Sequence, residues 1–389
     1  MPGRSFRVGR IAGIPIGVSP WWLAIVVLLS WSLGRSWFPE LVPGIAPAAS
    51  YALGLLSVLL LFASILLHEL AHALVARREG IAVEEIDLWL LGGVARLRDE
   101  AHAPDDELRY ALAGPLVTAV VVIVFAALDA LLGARETVAS ALVRYQLVVN
   151  ALILVFNLVP AFPLDGGRVL RALLWRRRGD RAAATATAAR AGRLFGGALV
   201  AVGVLGLFAG YVGGVWLGVV GLFIVFAADA QAADAAVDAA LSGIPAAALM
   251  SAPAQTVRES EPIEQAIAER LAGSDHPAFP VVSSGGVVVG MLTLARIAQL
   301  PHPGHRPPRR VADVADRDPG LLAHPDDDVT LLLHRPAFAR VGRIAIVDAD
   351  GGPLGVLSIT DVQRALRRQQ VVRDLPVAAE RRTPTGHHA

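Results

Sequence analysis

Two histidines four residues apart flank a glutamate and two apolar residues in His68-Glu69-Leu70-Ala71-His72. On a helix, positions i and i+4 share one face, so both imidazoles can bind a single metal ion. Glu69 stands beside them, placed to take a proton from a metal-bound water. The chemistry implied is metal-assisted hydrolysis of a peptide bond. Cysteine is absent, so any further ligand must be His, Asp or Glu. The best third ligand is Asp165, in the run Asn157-Leu158-Val159-Pro160-Ala161-Phe162-Pro163-Leu164-Asp165-Gly166-Gly167. Asp87, Glu84 and Glu85 are weaker candidates.

These residues lie in apolar surroundings. The run Leu55–Leu67 leads directly into His68, and ionisable groups at the end of such a run are a functional hypothesis by default. The chain has 389 residues, 54% of them hydrophobic and 18% charged. A soluble domain carries about a quarter charged residues. Six spans are expected, at about 20–35, 51–78, 108–133, 140–160, 192–211 and 213–231. The first shows no cleavage pattern and is expected to be retained, with Trp21, Trp22, Trp31 and Trp37 as interface anchors. Arginine clusters before the first span, between the second and third, and between the fourth and fifth. The positive-inside rule then places both termini in the cytoplasm. A net charge of +1 gives no support to nucleic-acid binding.

The connections carry their own signals. Ile86 to Leu97 reads as a hairpin turning at Gly92-Gly93, and Val8 to Val18 alternates weakly as a further strand. Gly192/Gly196, Gly206/Gly210 and Gly214/Gly218 suit close helix packing within the chain. An alanine-rich helix then connects to a soluble region with an internal repeat. Phe279–Val282, Gly285-Gly286 and Gly290–Arg296 correspond to Ile344–Asp348, Gly351-Gly352 and Gly355–Asp361. Each half reads as strand, glycine turn, strand and a helix capped by Ser or Thr.

Together, the His68–His72 motif and Asn157…Pro160…Pro163-Leu164-Asp165-Gly166-Gly167 resemble the site-2 protease family of intramembrane zinc metalloproteases. Ala113-Gly114-Pro115-Leu116 matches a further pattern of that family. The repeat resembles a tandem pair of CBS domains, which one branch of the family carries at its C-terminus. The resemblance implies one Zn2+ per chain, held by His68, His72 and Asp165. It implies Glu69 as general base and Asn157 as a catalytic residue near substrate or oxyanion. It also implies an adenine-nucleotide site at Ser358 and Asp361, whereas Arg296 replaces the matching Asp of the first half.

The expected fold is an α-helical polytopic membrane protein with a small β-hairpin region near the active site, plus an α/β tandem CBS domain. The expected domains are 1–232 (protease), 233–245 (helical linker), 246–370 (CBS pair, about 246–300 and 309–370) and 371–389 (disordered tail). The expected function is cleavage of single-span membrane proteins such as membrane-anchored regulators, with the CBS pair as regulatory module and a homodimer contact. A CBS-gated transporter or channel and an inactive client-binding relative are the alternatives.

Overall fold

The computed structural model describes residues 6–89, 92–97, 101, 103–133, 137–271, 277–299 and 310–374. These fall into two compact units that divide after Ala235.

The first unit opens with a hairpin of β1 (Phe6–Ile11) and β2 (Ile14–Val18). Ala12 and Gly13 make its turn with φ of +50° and +80°, the backbone that a two-residue hairpin demands. Helices α1 (Pro20–Leu41) and α2 (Pro47–Arg78) follow, each with proline in its first turn, where a missing N–H costs nothing. Strands β3 (Val83–Trp89) and β4 (Gly92–Leu97) come next. Then come α3 (Pro104–Leu132), α4 (Val138–Leu158), α5 (Asp165–Arg178), α6 (Arg181–Phe208) and α7 (Gly214–Leu241). All but the shorter α5 are long and apolar enough to cross a membrane. Their outer faces expose Leu116, Phe208, Phe226 and many other large apolar side chains, which hydrocarbon solvates and water does not.

The four strands form one sheet in the order β1-β2-β3-β4. Only the β2–β3 pairing is parallel, with Ile16 opposite Ile86. Ile14, Ile16 and Ile86 pack on Ala73 of α2, so the sheet is seated against the turn that carries His72. The expected turn at Gly92-Gly93 is corrected here. Gly92 pairs with Trp89 and Gly93 with Leu88, so both glycines belong to β4. The connecting Leu90 and Leu91 lie outside the described residues. The tryptophans also divide. Trp21 and Trp31 are exposed, whereas Trp22 packs edge-on against Phe62 at 5.2 Å and Trp37 against Tyr145 at 5.9 Å.

Helix α7 runs unbroken through the alanine-rich segment to Leu241. The second unit holds two three-stranded sheets. In one, β6 (Ala278–Val282) lies between β5 (Val257–Arg258) and β7 (Val288–Thr293). Helix α8 (Leu294–Ala298) follows, capped by the Thr293 hydroxyl. In the other, β9 (Arg343–Val347) lies between β8 (Leu322–Ala323) and β10 (Pro353–Ser358). Helix α9 (Ile359–Asp374) closes the second repeat. The two halves share a core of Ala278, Val288 and Met291 with Leu321, Ala345 and Val347. The expected tail beyond Asp374 lies outside the described residues.

Close helix approach in the first unit depends on glycine. A Cβ on Gly196 of α6 would stand 2.6 Å from the Gly221 carbonyl oxygen of α7. Gly196→Leu is therefore expected to part these helices and destabilise the protein by about 1–3 kcal/mol. Reversible unfolding in detergent measures this, and an unchanged midpoint would refute the packing argument.

Candidate metal centre and active site

The site is built on three helices. His68 and His72 lie one turn apart on α2, both buried. Across from them, α3 presents Tyr110, Gly114 and Thr118, an i, i+4, i+8 stripe along one face. His68 Nδ1 lies 2.8 Å from Thr118 Oγ1, and His72 Nδ1 lies 2.6 Å from the Tyr110 carbonyl oxygen. A carbonyl only accepts, so His72 carries its proton on Nδ1 and turns the Nε2 lone pair inward. Between these two anchors α3 must come very close. A Cβ on Gly114 would stand 2.2 Å from His72 Nε2 and 2.6 Å from His68 Nε2.

Asp165 arrives from the other side. Pro160 and Pro163 cannot continue α4, and the chain turns before restarting as α5 with Asp165 in its first turn. An acid there is favoured by the helix dipole, and Arg176, Arg177 and Arg178 complement it in the last turn. A Cβ on Gly166 would stand 2.3 Å from the Val159 carbonyl oxygen, so the helix start lies directly on its own turn. Helix α5 is strapped to α3 by a buried ion pair, Arg171 Nε donating to Glu107 Oε1 at 2.7 Å. The Arg171 guanidinium also covers the Phe162 ring at 5.1 Å.

The result is a triangle of donor atoms. His68 Nε2 to His72 Nε2 is 3.1 Å, His68 Nε2 to Asp165 Oδ2 is 3.1 Å, and His72 Nε2 to Asp165 Oδ2 is 3.3 Å. Metal–ligand bonds of about 2.0–2.1 Å at tetrahedral angles place ligand atoms roughly 3.3 Å apart. The set therefore fits a tetrahedral metal ion with three protein ligands and an open fourth position. Among the described residues it is the one His/Asp/Glu group with that geometry, and Glu84, Glu85 and Asp87 on β3 are not part of it.

Glu69 and the triangle face a cavity of about 390 Å³. Ile65, Ile153 and Phe156 form apolar wall, and Asn150, Asn157 and Arg168 add polar groups. Asn157 lines this cavity from the last turn of α4. Asn150, two turns earlier, was not singled out by its sequence context. It is fully buried, its amide donates to the Gln146 carbonyl at 2.8 Å, and its Oδ1 has no partner among the described residues. The glycines of β4 complete the wall. A Cβ on Gly93 would stand 2.5 Å from Glu69 Cγ, which is why this strand opens with glycine. Sequence reasoning also passed over Tyr110, Thr118 and the cavity position of Arg168. The signal available for Tyr110 and Thr118 was their place on one helix face with Gly114, at every fourth position of α3.

In the second unit, Ser358 and Asp361 meet, and both are buried. Ser358 Oγ donates to Asp361 Oδ2 at 2.5 Å, and Ser251 Oγ and Arg364 Nη1 donate to Oδ1 at 2.8 and 3.2 Å. Arg296 instead lies 3.6 Å from Asp316, which also receives Arg340 at 3.1 Å.

Residues 56–137 and 133–203 match peptidase family M50. Rip3 of Mycobacterium tuberculosis, named among the zinc metalloproteases, is 36% identical over 366 residues, covering 93% of each chain. The chain belongs to peptidase family M50. It is a multi-pass membrane zinc metalloendopeptidase of the site-2 protease type. Zinc metalloprotease MJ0392 of Methanocaldococcus jannaschii is 29% identical over 363 residues, 93% of this chain and 96% of that one. The solved site-2 protease from Methanocaldococcus jannaschii is 30% identical, covers 59% of this chain and 95% of its own, and has a TM-score of 0.40. Residues 246–302 and 311–368 match the CBS domain, so this M50 peptidase carries a tandem CBS pair.

Gly114→Ala tests the close approach of α3. It is expected to reduce bound zinc at least tenfold, read by metal analysis of monodisperse protein. Zinc retained at the wild-type level would show that the histidines do not need this gap.

Proposed function

We propose that the protein hydrolyses peptide bonds in or beside the membrane segments of single-span proteins, in regulated intramembrane proteolysis. The observation that carries this reading is the donor triangle of His68, His72 and Asp165 facing a cavity beside Glu69, within a bundle of apolar helices.

His68, His72 and Asp165 would hold one zinc ion, whose donor set of two imidazoles and a carboxylate suits it. Bound there, zinc supplies Lewis-acid polarisation and lowers the pKa of water to about 7. Glu69 takes the proton from the attacking water and returns it to the leaving amine nitrogen. Thr118 and the Tyr110 carbonyl hold the imidazole rings in orientation during this exchange. Asn157 holds substrate backbone or the developing oxyanion with its amide.

A membrane helix hides its peptide bonds in its own hydrogen bonds, so the substrate must unwind before it is cut. The outer edge of β4 is the end of the sheet and begins at Gly92, next to the Gly93 that faces Glu69. An extended substrate segment pairing there would run past the catalytic carboxylate. Pro or Gly substitutions across Leu88–Leu91 that left cleavage intact would end this idea.

The arginine distribution supports a cytoplasmic location for both termini and the CBS pair. The pair would regulate the peptidase and offer a homodimer contact. An adenine nucleotide at Ser358 and Asp361 would have to displace Ser251, which already occupies the carboxylate. Ser251→Ala is therefore expected to tighten binding of AMP to the full chain, measured calorimetrically. Equal binding by wild type and variant would remove Ser251 from the site.

Glu69→Gln is the primary test. It should abolish cleavage of a synthetic single-span peptide of about 25 residues while keeping one zinc per chain. Asp165→Ala should lose both. Zinc unchanged in the Asp165 variant would undo the ligand assignment.

A further inference from the structure

The cavity holds one cation whose role the donor triangle does not explain. Arg168 lies on α5 three residues after Asp165, so the two side chains share a face of that helix. Its Nη1 donates to the Tyr110 hydroxyl, and its guanidinium covers the Tyr110 ring at 5.6 Å. Among the described residues no carboxylate lies within ion-pair distance of it. A guanidinium carries five N–H donors and stays charged at any working pH, so most of its donors remain for a ligand. Asp165 and Glu107 act on it only from beyond ion-pair distance, and a buried cation with no carboxylate bonded to it at an active site calls for a function. Strapping α5 to α3 does not supply one, because the buried Arg171–Glu107 pair does that already.

The reaction generates an anion in this cavity. The water oxygen bonds to the carbonyl carbon, the π pair moves onto the carbonyl oxygen, and the water proton passes to Glu69. Negative charge thus leaves Glu69 and arises on the substrate oxygen. The C–N bond then breaks, its electron pair going to nitrogen, which takes the proton back from Glu69. We propose that Arg168 is a catalytic residue that donates hydrogen bonds to this oxyanion, and that the Tyr110 hydroxyl is its resting partner between turnovers. The inference rests on the peptidase reading and adds to it a cation fixed in the protein. Donors of this kind, aimed at developing charge in a water-poor site, are worth about 10²–10³ in rate each.

The test uses full-length protein in detergent with two variants, Arg168→Gln and Arg168→Lys. Three readouts are zinc content, kcat and KM on the synthetic single-span peptide, and affinity for an N-phosphorylated leucyl dipeptide amide against its neutral N-acetyl counterpart. Arg168→Gln is expected to keep zinc and KM, to lose about a hundredfold in kcat, and to lose a similar factor in affinity for the phosphorylated probe alone. Arg168→Lys should recover part of both losses. Loss of zinc in Arg168→Gln, or a fall in kcat with unchanged selectivity for the anionic probe, would make Arg168 structural and overturn the proposal. A wild-type protein that binds zinc but never cuts would instead defeat the peptidase reading, and this inference with it.

Discussion

Three ligand atoms from two distant stretches of chain converge to within 3.3 Å of one another inside a bundle of apolar helices, and the rest of the first unit follows from that demand. Lipid offers no hydrogen bonds, so every polar group brought to such a site needs a partner from protein, metal or a wet cavity. The protein meets this by making α3 the hub. One face of that helix orients both imidazoles, leaves a gap at Gly114 for the metal side of the histidines, and receives α5 through Glu107. Asp165 is positioned by the same helix that orients His68 and His72, although it shares no element with them.

Irregular backbone serves the cavity wall. The break between α4 and α5 supplies Pro163 and Asp165 to the site, and the edge of the sheet supplies Gly92 and Gly93. Elsewhere, helix crossings carry small residues, as at Gly196 and Gly221. Membrane helices gain little from hydrophobic association with one another, so close packing of this kind carries much of their cohesion.

How much of this the sequence discloses depends on the kind of constraint. His68, His72 and Asp165 were legible because metal ligation restricts both residue type and spacing. The six spans were legible because apolar length alone decides them. The turn of the β3–β4 hairpin was misread at Gly92-Gly93, since local propensity favours glycine in turns. Its position is set by a tertiary contact with Glu69 that no local rule contains. The pairing of β1 was only faintly marked, because all of β1 is exposed and no buried face imposes alternation. Arg168 was hidden among topology-setting arginines, and only its place in the cavity separates it from Arg176 to Arg178.

The CBS repeat illustrates the converse, a motif that is legible while its availability is not. The spacing of Ser358 and Asp361 is that of a ligand-binding pair, yet in the folded unit the carboxylate accepts from Ser251, Ser358 and Arg364. In the first half Arg296 stands in the matching place and turns toward Asp316, which Arg340 also holds. Both pseudo-equivalent positions are therefore closed by protein groups, one by two serine hydroxyls and Arg364, the other by Arg296 and Arg340. A ligand entering either half would have to break an ion pair and replace donors that the carboxylate already has, so a legible motif does not by itself mark an open site.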